Sequence, residues 1–332
     1  MTAPSYVVKR LVAALLVLIV VATLTFLVFH LLPSDVSQAS CGKPCTSERR
    51  EAVRHFLGYD QPVLVQLGEF LRGIVLGRTY GVGAAAVDCS APCFGFSFRL
   101  NEPVTSLIAE RFPVTASIAL GAAVLWTVLG VGTGVLAALR RGSWVDRAAS
   151  ASTVVGISTP TYLVGLVGIY VFGFQLNVLP VGTYVPLGES PLLWAWHLVL
   201  PWCVLTVASA AIYTRMTRSQ MLDVLDENYV RTARAKGLSE RRVVTRHALR
   251  NALLPVVTLF GLDLGGLLGG AVITEKIFSM QGIGALLVDS VGSLDLPVVL
   301  GVTLFAAFLI VLANLAVDLA YTRLDPRVSR NG

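Results

Sequence analysis

Between two long apolar runs, the chain reads Asn228-Tyr229-Val230-Arg231-Thr232-Ala233-Arg234-Ala235-Lys236-Gly237-Leu238 and continues to Arg250-Asn251-Ala252-Leu253-Leu254-Pro255. Nine Lys or Arg and four acidic residues lie between Arg215 and Arg250, so the segment is strongly basic. Loops of membrane proteins that are rich in Lys and Arg stay in the cytoplasm. This segment could set the topology, bind nucleic acid or form a docking surface for a cytoplasmic protein.

The composition is typical of a membrane protein and not of a soluble domain. Hydrophobic residues make up 55% of the chain, charged residues make up 14%, and the mean hydropathy is +0.73. A crossing helix needs about 20 apolar residues. Six runs meet that length, and they cover approximately 11–32, 114–139, 148–176, 192–213, 253–274 and 297–322. The runs lack the alternation of a membrane β-barrel, so all six are predicted to be helices.

The basic residues outside the 215–250 segment predict the orientation. They lie on the same side of the predicted membrane as that segment, and they are Lys9, Arg10, Arg140, Arg141, Arg147, Arg323, Arg327 and Arg330. The short loops on the other side hold Lys276 as their basic residue. Both termini are therefore predicted to be cytoplasmic, and residues 33–112 are predicted to be external. The net charge of +6 is then a topology signal and gives no argument for nucleic acid.

The predicted external loop contains two helical patterns and two cysteine pairs. The patterns predict helices over 48–57 and 63–75, separated by a turn. The pairs are Cys41 with Cys45 and Cys89 with Cys93, each with three intervening residues. Disulfides within or between the pairs are favoured in an oxidising compartment, and a four-thiolate metal site or reduced thiols are the alternatives. Cys203 stands alone in an apolar run, where we expect a small buried apolar side chain.

Motifs for enzymatic chemistry are missing from the sequence. It has no Gly-x4-Gly-Lys-Ser/Thr phosphate loop, no His-Glu-x-x-His helix and no dinucleotide-binding glycine motif. We therefore expect a non-enzymatic chain without a cofactor of its own. Any energy for its function must come from outside the chain.

The basic segment resembles a loop in the permease subunits of bacterial ABC importers, which insert it into a cleft of their ATPase partner. Ala233 and Gly237, followed by Leu254-Pro255, carry the resemblance. In the general motif a Glu and two Ala precede the Gly, and Arg231, Thr232 and Ala233 occupy those positions here. This departure and the late Leu-Pro resemble the peptide and nickel importer branch. Small Ala and Gly allow close approach of another surface, and Gly237 permits a sharp helix end.

Further phrases in chain order resemble the first permease subunit of peptide importers. They are Gly58, Asp60, Pro62 and Gln66; Pro103 with Ala109-Glu110-Arg111-Phe112-Pro113; Glu275-Lys276-Ile277-Phe278-Ser279-Met280-Gln281-Gly282-Ile283-Gly284; Asp295 and Pro297; and Asp318, Tyr321 and Asp325-Pro326-Arg327. The resemblance covers most of the chain from Leu57 onward. Residues 80–93 interrupt it and are interpreted as an insertion.

The resemblance implies an all-α membrane protein with the six transmembrane helices of the type I ABC importer permease fold and a long external loop after the first helix. The expected division is 1–32 for the cytoplasmic N-terminus and first helix, 33–112 for the external loop, 113–322 for the five-helix core with its coupling loop 214–252, and 323–332 for a cytoplasmic tail. It also implies a second permease of similar fold, two ATPases that bind ATP and Mg²⁺, an external substrate-binding protein and a peptide substrate. Residues 229–238 would be the ATPase-coupling loop.

Four residues are candidates for the translocation path or its gate. Asp263 is an acid inside an apolar run, where polar groups face a cavity, another helix or a partner. Pro160 is predicted to kink the third helix. Glu275 and Phe278 belong to the phrase on the external side, which is expected to form a turn that caps the fifth helix and a buried re-entrant loop.

Two other functions remain open at this point. One is import of nickel or another small solute by the same architecture, although four His and four Met offer little for a metal path. The other is an ATPase-independent secondary transporter or a membrane scaffold. Secondary transporters often have repeated halves and paired acids inside their helices, and neither pattern is clear here. The expected location is the bacterial inner membrane, with membrane lipid around the helices.

Overall fold

The structure is a computed structural model that describes residues 3–31, 45–58, 60–81 and 86–324. Helices dominate, and they are α1 (Ala3–Leu31), α2 (Ser47–Leu57), α3 (Val63–Leu76), α4 (Val104–Leu139), α5 (Trp144–Ser158), α6 (Thr161–Gln175), α7 (Pro191–Leu225), α8 (Asn228–Ala235), α9 (Glu240–Ala252), α10 (Leu254–Leu268), α11 (Val272–Ile277), α12 (Ile283–Ser293) and α13 (Leu296–Leu324). The predicted tail at 325–332, with Asp325-Pro326-Arg327, lies outside the described residues, and the side chains of Asp318 and Tyr321 are not described.

Four of the described helices are long and apolar enough to cross a membrane alone, namely α1, α4, α7 and α13. Two further crossings are possible if the bent pairs α5–α6 and α9–α10 each form one span. Within the described residues this gives the six predicted runs. The most exposed of the four is α1, since only 11% of its spanning window is buried inside the protein.

The third predicted run was expected to be one helix with a kink at Pro160, but in the structure a sharp bend divides it into two helices. Helices α5 and α6 meet at 96°. Pro160 has no N–H to donate, and Thr159 before it is extended with φ −89° and ψ 121°. A proline disfavours helical backbone at the preceding residue, so the helix ends there and restarts at Thr161.

Two helices extend well beyond the predicted runs. Helix α4 starts at Val104 and continues through Pro113, and α7 continues from Pro191 to Leu225 instead of ending near residue 213. At 1.5 Å per residue, each is about 50 Å long, whereas the hydrocarbon core is about 30 Å thick. Both helices therefore project out of the membrane. Conversely, α10 ends at Leu268, six residues before the predicted end, because Gly269 and Gly270 follow.

The centre of the bundle is the contact between α4 and α7. Small residues of α4 allow it, since a Cβ on Gly130 would stand 2.5 Å from Cβ of Tyr213. Trp126 and Tyr213 are fully buried in this seam, and their ring centroids are 6.1 Å apart. Helix α10 packs beside them and against α13. In lipid such helices are held by close packing and not by exclusion of water.

Residues 45–103 form a small unit that we call the hairpin domain. It contains α2, α3 and two antiparallel pairs of strands, β1 (Arg78–Tyr80) with β2 (Val87–Cys89) and β3 (Phe96–Ser97) with β4 (Glu102–Pro103). Helices α2 and α3 agree with the two helices predicted for this region. The stretch interpreted from the sequence as an insertion supplies Tyr80 of β1 and all of β2 to the first hairpin. Phe56 of α2 packs against the rings of Tyr80, Phe96 and Phe98.

The two ends of the bundle differ. Helix α4 begins next to β4, and its last turn packs against α9, where Ala138 meets Val244 and Ala248. We call the end with α8 and α9 the basic end and the end with the hairpin domain the hairpin end. The hairpin domain is attached to the corner between α12 and α13, because Ser97 donates a hydrogen bond to Asp295 and Arg99 donates to the Ser293 carbonyl at 3.3 Å.

Candidate functional site

The predicted coupling residues form a short helix and a tight turn at the basic end. Helix α8 ends at Ala235, and Gly237 then has φ +76°, in the left-handed region that favours glycine. The Gly237 amide donates to the Arg234 carbonyl at 2.9 Å, and the Leu238 amide donates to the Ala233 carbonyl at 3.3 Å. These bonds satisfy carbonyls at the helix end. Apart from its two chain neighbours, no described residue has an atom within 4 Å of a Cβ built on Gly237, so the turn faces open space among the described residues.

The coupling residues divide into a buried and an exposed side. Val230 and Ala233 are buried and pack against Val243 of α9, with Leu238 beside them. The exposed side presents the backbone of α8 together with Tyr229, Arg231, Thr232, Arg234, Ala235 and Lys236. Ala233, which carries part of the sequence resemblance, therefore packs inside this chain.

Polar contacts fix the segment in place. Arg234 donates two hydrogen bonds to the Glu240 carboxylate, at 2.8 and 3.3 Å, and so ties α8 to α9 across the Gly237 turn. Asn251 donates to the Tyr229 hydroxyl at 2.7 Å. Val224 and Leu225 at the end of α7 pack on the same small core. A force on α8 would therefore reach α7 directly and α10 through the 51° bend that follows α9.

Asp146 and Arg218 make an ion pair near the basic end that sequence reasoning missed. Arg218 of α7 donates to both carboxylate oxygens of Asp146 at the start of α5, and the Gly142 amide donates to the same carboxylate at 3.0 Å. Asp146 is 5% exposed. The partners are 72 residues apart, so no local spacing indicates the pair. An open groove of about 570 Å³ between α5 and α7, lined by Ser150, Thr214 and Arg215, lies beside it.

Glu275 is the centre of the corner formed by α11 and α12. It is fully buried, and its Oε1 accepts hydrogen bonds from the Thr115 hydroxyl at 2.8 Å and the Ala271 amide at 3.2 Å. Its Oε2 accepts from the Ala285 amide at 2.7 Å. Thr115 in turn accepts from the Ile283 amide at 2.8 Å. One carboxylate thus joins α4, α11 and α12.

Two glycines of the Gln281-Gly282-Ile283-Gly284 phrase make room for this corner. A Cβ on Gly282 would stand 2.3 Å from the Glu275 carboxylate carbon, and a Cβ on Gly284 would stand 2.8 Å from the Val272 backbone. Any larger residue would displace the chain. The glycines of this phrase are therefore explained by close packing around Glu275.

The other path candidates lie in separate places. Phe278 is 1% exposed and packs with Ile169 and Met280 in a core between α6, α7 and α11. Asp263 is half-buried and accepts a hydrogen bond from the Tyr213 hydroxyl at 3.0 Å. Pro160 lies at the bend between α5 and α6. Glu275 and Phe278 share one corner, whereas Asp263 and Pro160 belong to other parts of the bundle.

The cysteines are paired in the hairpin domain. Cys89 and Cys93 form a disulfide, and Cys45 is also disulfide-bonded. Cys41 lies outside the described residues. The expectation for Cys203 was wrong, since this free thiol is exposed on α7 beside an apolar groove. Lipid is an apolar solvent, so a small apolar side chain can face outward there. Within the described residues, no group of three His, Cys, Asp or Glu could hold a metal ion.

Known proteins similar to this chain belong to import systems. Residues 130–330 match the family described as binding-protein-dependent transport system inner membrane component, and residues 4–119 match its N-terminal family. The chain is 41% identical to a Brucella abortus (strain 2308) protein that carries the name peptide transport system permease protein, over 97% of this chain and 98% of that protein. It is 38% identical to the glutathione transport system permease protein GsiC of Escherichia coli (strain K12), over 98% of each.

A solved structure supports the fold. A chain of the MetNI methionine ABC transporter, in an inward-facing conformation, matches 67% of this chain and 97% of its own length with a TM-score of 0.51. The two are 17% identical, so the match concerns the fold alone. This is the type I ABC importer permease fold that the sequence predicted. The chain therefore belongs to the family of inner membrane components of binding-protein-dependent transport systems, as a multi-pass transport subunit and not an enzyme.

Proposed function

We propose that this chain is a permease subunit that moves peptides into the bacterial cytoplasm. The observation that carries the proposal is similarity over nearly the whole chain to proteins named as peptide and glutathione permeases. Glutathione is itself a short peptide. The match includes both the bundle and the hairpin domain, which are the parts that a substrate meets on its way through.

The chain works with partners in this proposal. A second permease of similar fold completes the path, two ATPase subunits or domains bind ATP and Mg²⁺, and an external binding protein delivers the peptide. The family description, which specifies dependence on a binding protein, supports the last of these. The basic end faces the cytoplasm with both termini, since its Lys and Arg follow the positive-inside rule, and the hairpin end faces outward.

The exposed side of α8 is the proposed contact with an ATPase. Space is open around the Cβ position of Gly237 within the described part of the chain, and the side chains of Arg231 and Lys236 are exposed beside it. The buried side is fastened to α7 and α9. Closure of the ATPases would therefore move α8 as a unit and transmit the movement to α7 and α10.

Transport then depends on the two helix breaks and the corner around Glu275. We assign Pro160 to a hinge, since α5 and α6 can change their angle at the two extended residues Thr159 and Pro160. Glu275 and Phe278 hold the corner at the hairpin end and act in the gate without contacting the peptide, since both are buried. Asp263 lies beside the path, with one carboxylate oxygen held by Tyr213.

The test of peptide import is ATP hydrolysis by the reconstituted complex. This chain is co-expressed with the ATPases and second permease encoded beside it, placed in lipid vesicles and supplied with the binding protein. We expect a mixed pool of short peptides to stimulate hydrolysis. Stimulation by nickel and not by peptides would contradict the substrate, and purification without any ATPase would contradict the importer mechanism.

The coupling contact is tested by Gly237→Glu, with Gly237→Asn as the matched control. Asn tolerates the left-handed backbone and is small, whereas Glu adds strain and a bulky charge at the contact. We expect Gly237→Glu to insert normally but to lose the ATPases on purification, while Gly237→Asn keeps most of the association. Normal co-purification of the Glu variant would contradict the docking role of this turn.

A further inference from the structure

Helix α3 of the hairpin domain has an exposed apolar face. Leu64 is 80% exposed and Val75 is 72% exposed. At about 100° per residue, these two side chains and the half-buried Leu71 fall within about 40° of one another around the helix. Gly68 lies next to them and has no atom within 4 Å of a Cβ built on it. Large apolar side chains that share one exposed face mark a surface that contacts something apolar.

The other faces of α3 already have neighbours or water. Gly73 faces the hairpin domain, since a Cβ there would stand 3.5 Å from Cβ of Arg78. Gln66 is buried and donates to the Gln61 carbonyl at 2.7 Å. Glu69 and Arg72 lie on a charged face and approach each other at 3.9 Å. The helix is therefore amphipathic, and its exposed apolar face points away from its own domain.

The position of α3 in the molecule identifies what this face meets. Phe70 of α3 stacks on Phe26 of α1, with ring centroids 6.0 Å apart and an interplanar angle of 26°. Phe26 is the second-last residue of the apolar window Lys9–Leu27, which is the part of α1 able to span the membrane. Helix α3 therefore crosses α1 where the hydrocarbon region ends at the hairpin end.

The apolar face of α3 is also continuous with the lipid-facing surface of α1. Leu15 and Leu24 of α1 are 60% and 58% exposed, and a membrane-spanning helix exposes such residues to acyl chains. Leu24 lies two residues before Phe26, so the lipid-facing surface extends to the level of the Phe26–Phe70 contact. Around α3, Phe70 and Leu71 are about 100° apart, so the exposed face adjoins the contact with α1.

We propose that α3 lies in the membrane interface at the hairpin end, with Leu64, Leu71 and Val75 in the acyl-chain region of that leaflet and Glu69 and Arg72 in water. Amphipathic helices lie in a membrane in this way, with the apolar face about 5–10 Å below the headgroups. The bilayer is then a further anchor for the hairpin domain, besides its hydrogen bonds to the α12–α13 corner and the Phe26–Phe70 stack. This inference does not depend on the substrate.

The experiment places a nitroxide spin label on each side of α3. Leu64→Cys and Val75→Cys are compared with Arg72→Cys on α3 and Asp88→Cys on β2, each in a Cys203→Ser background without reductant. The assembled complex is reconstituted in phosphatidylcholine and phosphatidylglycerol vesicles, and collisions with oxygen and with a water-soluble nickel chelate are measured. The Cys203→Ser parent is labelled in parallel to subtract any background signal.

We expect the ratio of oxygen to nickel collisions to be several-fold higher at Leu64→Cys and Val75→Cys than at the two controls. Equal ratios at all four positions would place α3 in water and overturn the proposal. Exclusion of both reagents from Leu64→Cys and Val75→Cys would mean that a protein partner covers the face, and this result would overturn it too. The label positions are exposed, so the substitutions need no repacking.

Discussion

Glu275 shows how a single buried acid organises several elements. The Glu275 carboxylate accepts hydrogen bonds from the Thr115 hydroxyl and from two backbone amides. The Thr115 hydroxyl oxygen in turn accepts one from the Ile283 amide. A buried carboxylate is tolerated only when such donors replace water. Its position in the Glu275–Gly284 phrase is therefore a structural requirement of the α11–α12 corner.

Replacing Glu275 with Gln should destabilise this corner. The amide NH₂ would face an N–H donor, so at least one hydrogen bond is lost and a buried donor stays unpaired, at a cost of about 1–3 kcal/mol. Asp289→Asn is the control, since Asp289 pairs with Lys276 at the same corner but is largely exposed. Exposed pairs contribute about 1 kcal/mol or less.

The measurement is the apparent melting temperature of the purified protein in detergent. We expect Glu275→Gln to lower it clearly more than Asp289→Asn does. Equal decreases in melting temperature for the two substitutions would contradict a stabilising role for the buried hydrogen bonds of Glu275.

Asp295 should make the attachment of the hairpin domain depend on pH. Burial raises the pKa of Asp295 above its ordinary value of 3.8, and the hydrogen bond from Ser97 opposes the rise only in part. Because the folded-state pKa is raised, Asp295 stabilises the attachment most when its carboxyl is protonated. This stabilisation is complete below the ordinary pKa and is lost as the pH rises through the raised pKa. Attachment should therefore weaken as the pH rises from about 4 toward neutrality.

Hydrogen exchange of the amides at 96–103 measures this attachment. After correction for the intrinsic rate, protection should fall with rising pH in the wild type and stay flat in Asp295→Asn, which cannot ionise. Asp289→Asn should keep the wild-type slope. A slope unchanged by Asp295→Asn would contradict the assignment to this carboxyl.

At the scale of elements, α10 and α13 are held together by two glycines of α10 and by the glycine that follows it. Cβ atoms on Gly261, Gly265 and Gly269 would stand within 3 Å of side-chain atoms of Val317, Ala313 and Ala306. Small residues at a spacing of four let two membrane helices approach closely. The adjacent Gly266 faces the other way, and outside its own helix backbone no atom of the described residues lies within 4 Å of its Cβ position.

Gly265→Leu and Gly266→Leu make a matched pair for this contact. The first forces a large side chain against Ala313 and the Ile310 backbone, and overpacking of this kind costs about 1–3 kcal/mol. In Gly266→Leu, the new side chain extends into open space and meets no described residue of another helix. We expect Gly265→Leu to lower the apparent melting temperature of the isolated chain and Gly266→Leu to leave it nearly unchanged. Similar losses in both variants would contradict the α10–α13 packing.

At the scale of the whole molecule, the ion pair between Asp146 and Arg218 connects the start of α5 to α7, the helix that continues to α8. The pair is shielded, with side-chain exposures of 7% for Asp146 and 29% for Arg218. The Arg234–Glu240 pair at the same end is exposed, at 39% and 63%. Exposed ion pairs are weak because water screens them. The Asp146–Arg218 pair should therefore stabilise the protein more than the Arg234–Glu240 pair does.

Charge reversal tests this difference. Arg218→Asp and Asp146→Arg should each lower the apparent melting temperature, and the double variant should recover much of the loss. The same cycle on Arg234 and Glu240 should give a coupling below about 1 kcal/mol. An equally small coupling for Asp146 and Arg218 would mean that the pair does not hold α5 to α7.

Much of the fold is predictable because lipid restricts the backbone to helices that satisfy their own hydrogen bonds. Run length and charge therefore predict the spans, and local patterns predict α2 and α3 of the hairpin domain. The basic segment around Gly237 and the phrase around Glu275 are also visible as motifs. Their surroundings are not, because Thr115 lies 160 residues from Glu275 in the sequence, and Arg218 lies 72 residues from Asp146.

The sequence by itself thus determined a multi-pass helical membrane protein, its family resemblance and the place of the basic segment proposed for coupling, since these follow from composition, run length and local motifs. Tertiary structure alone decided the 96° angle at Pro160, the length of α7, the outward position of Cys203 and the pairing of Asp146 with Arg218. Each of these depends on which distant helices meet. Such contacts are set by packing between surfaces and leave no periodic signal along the chain.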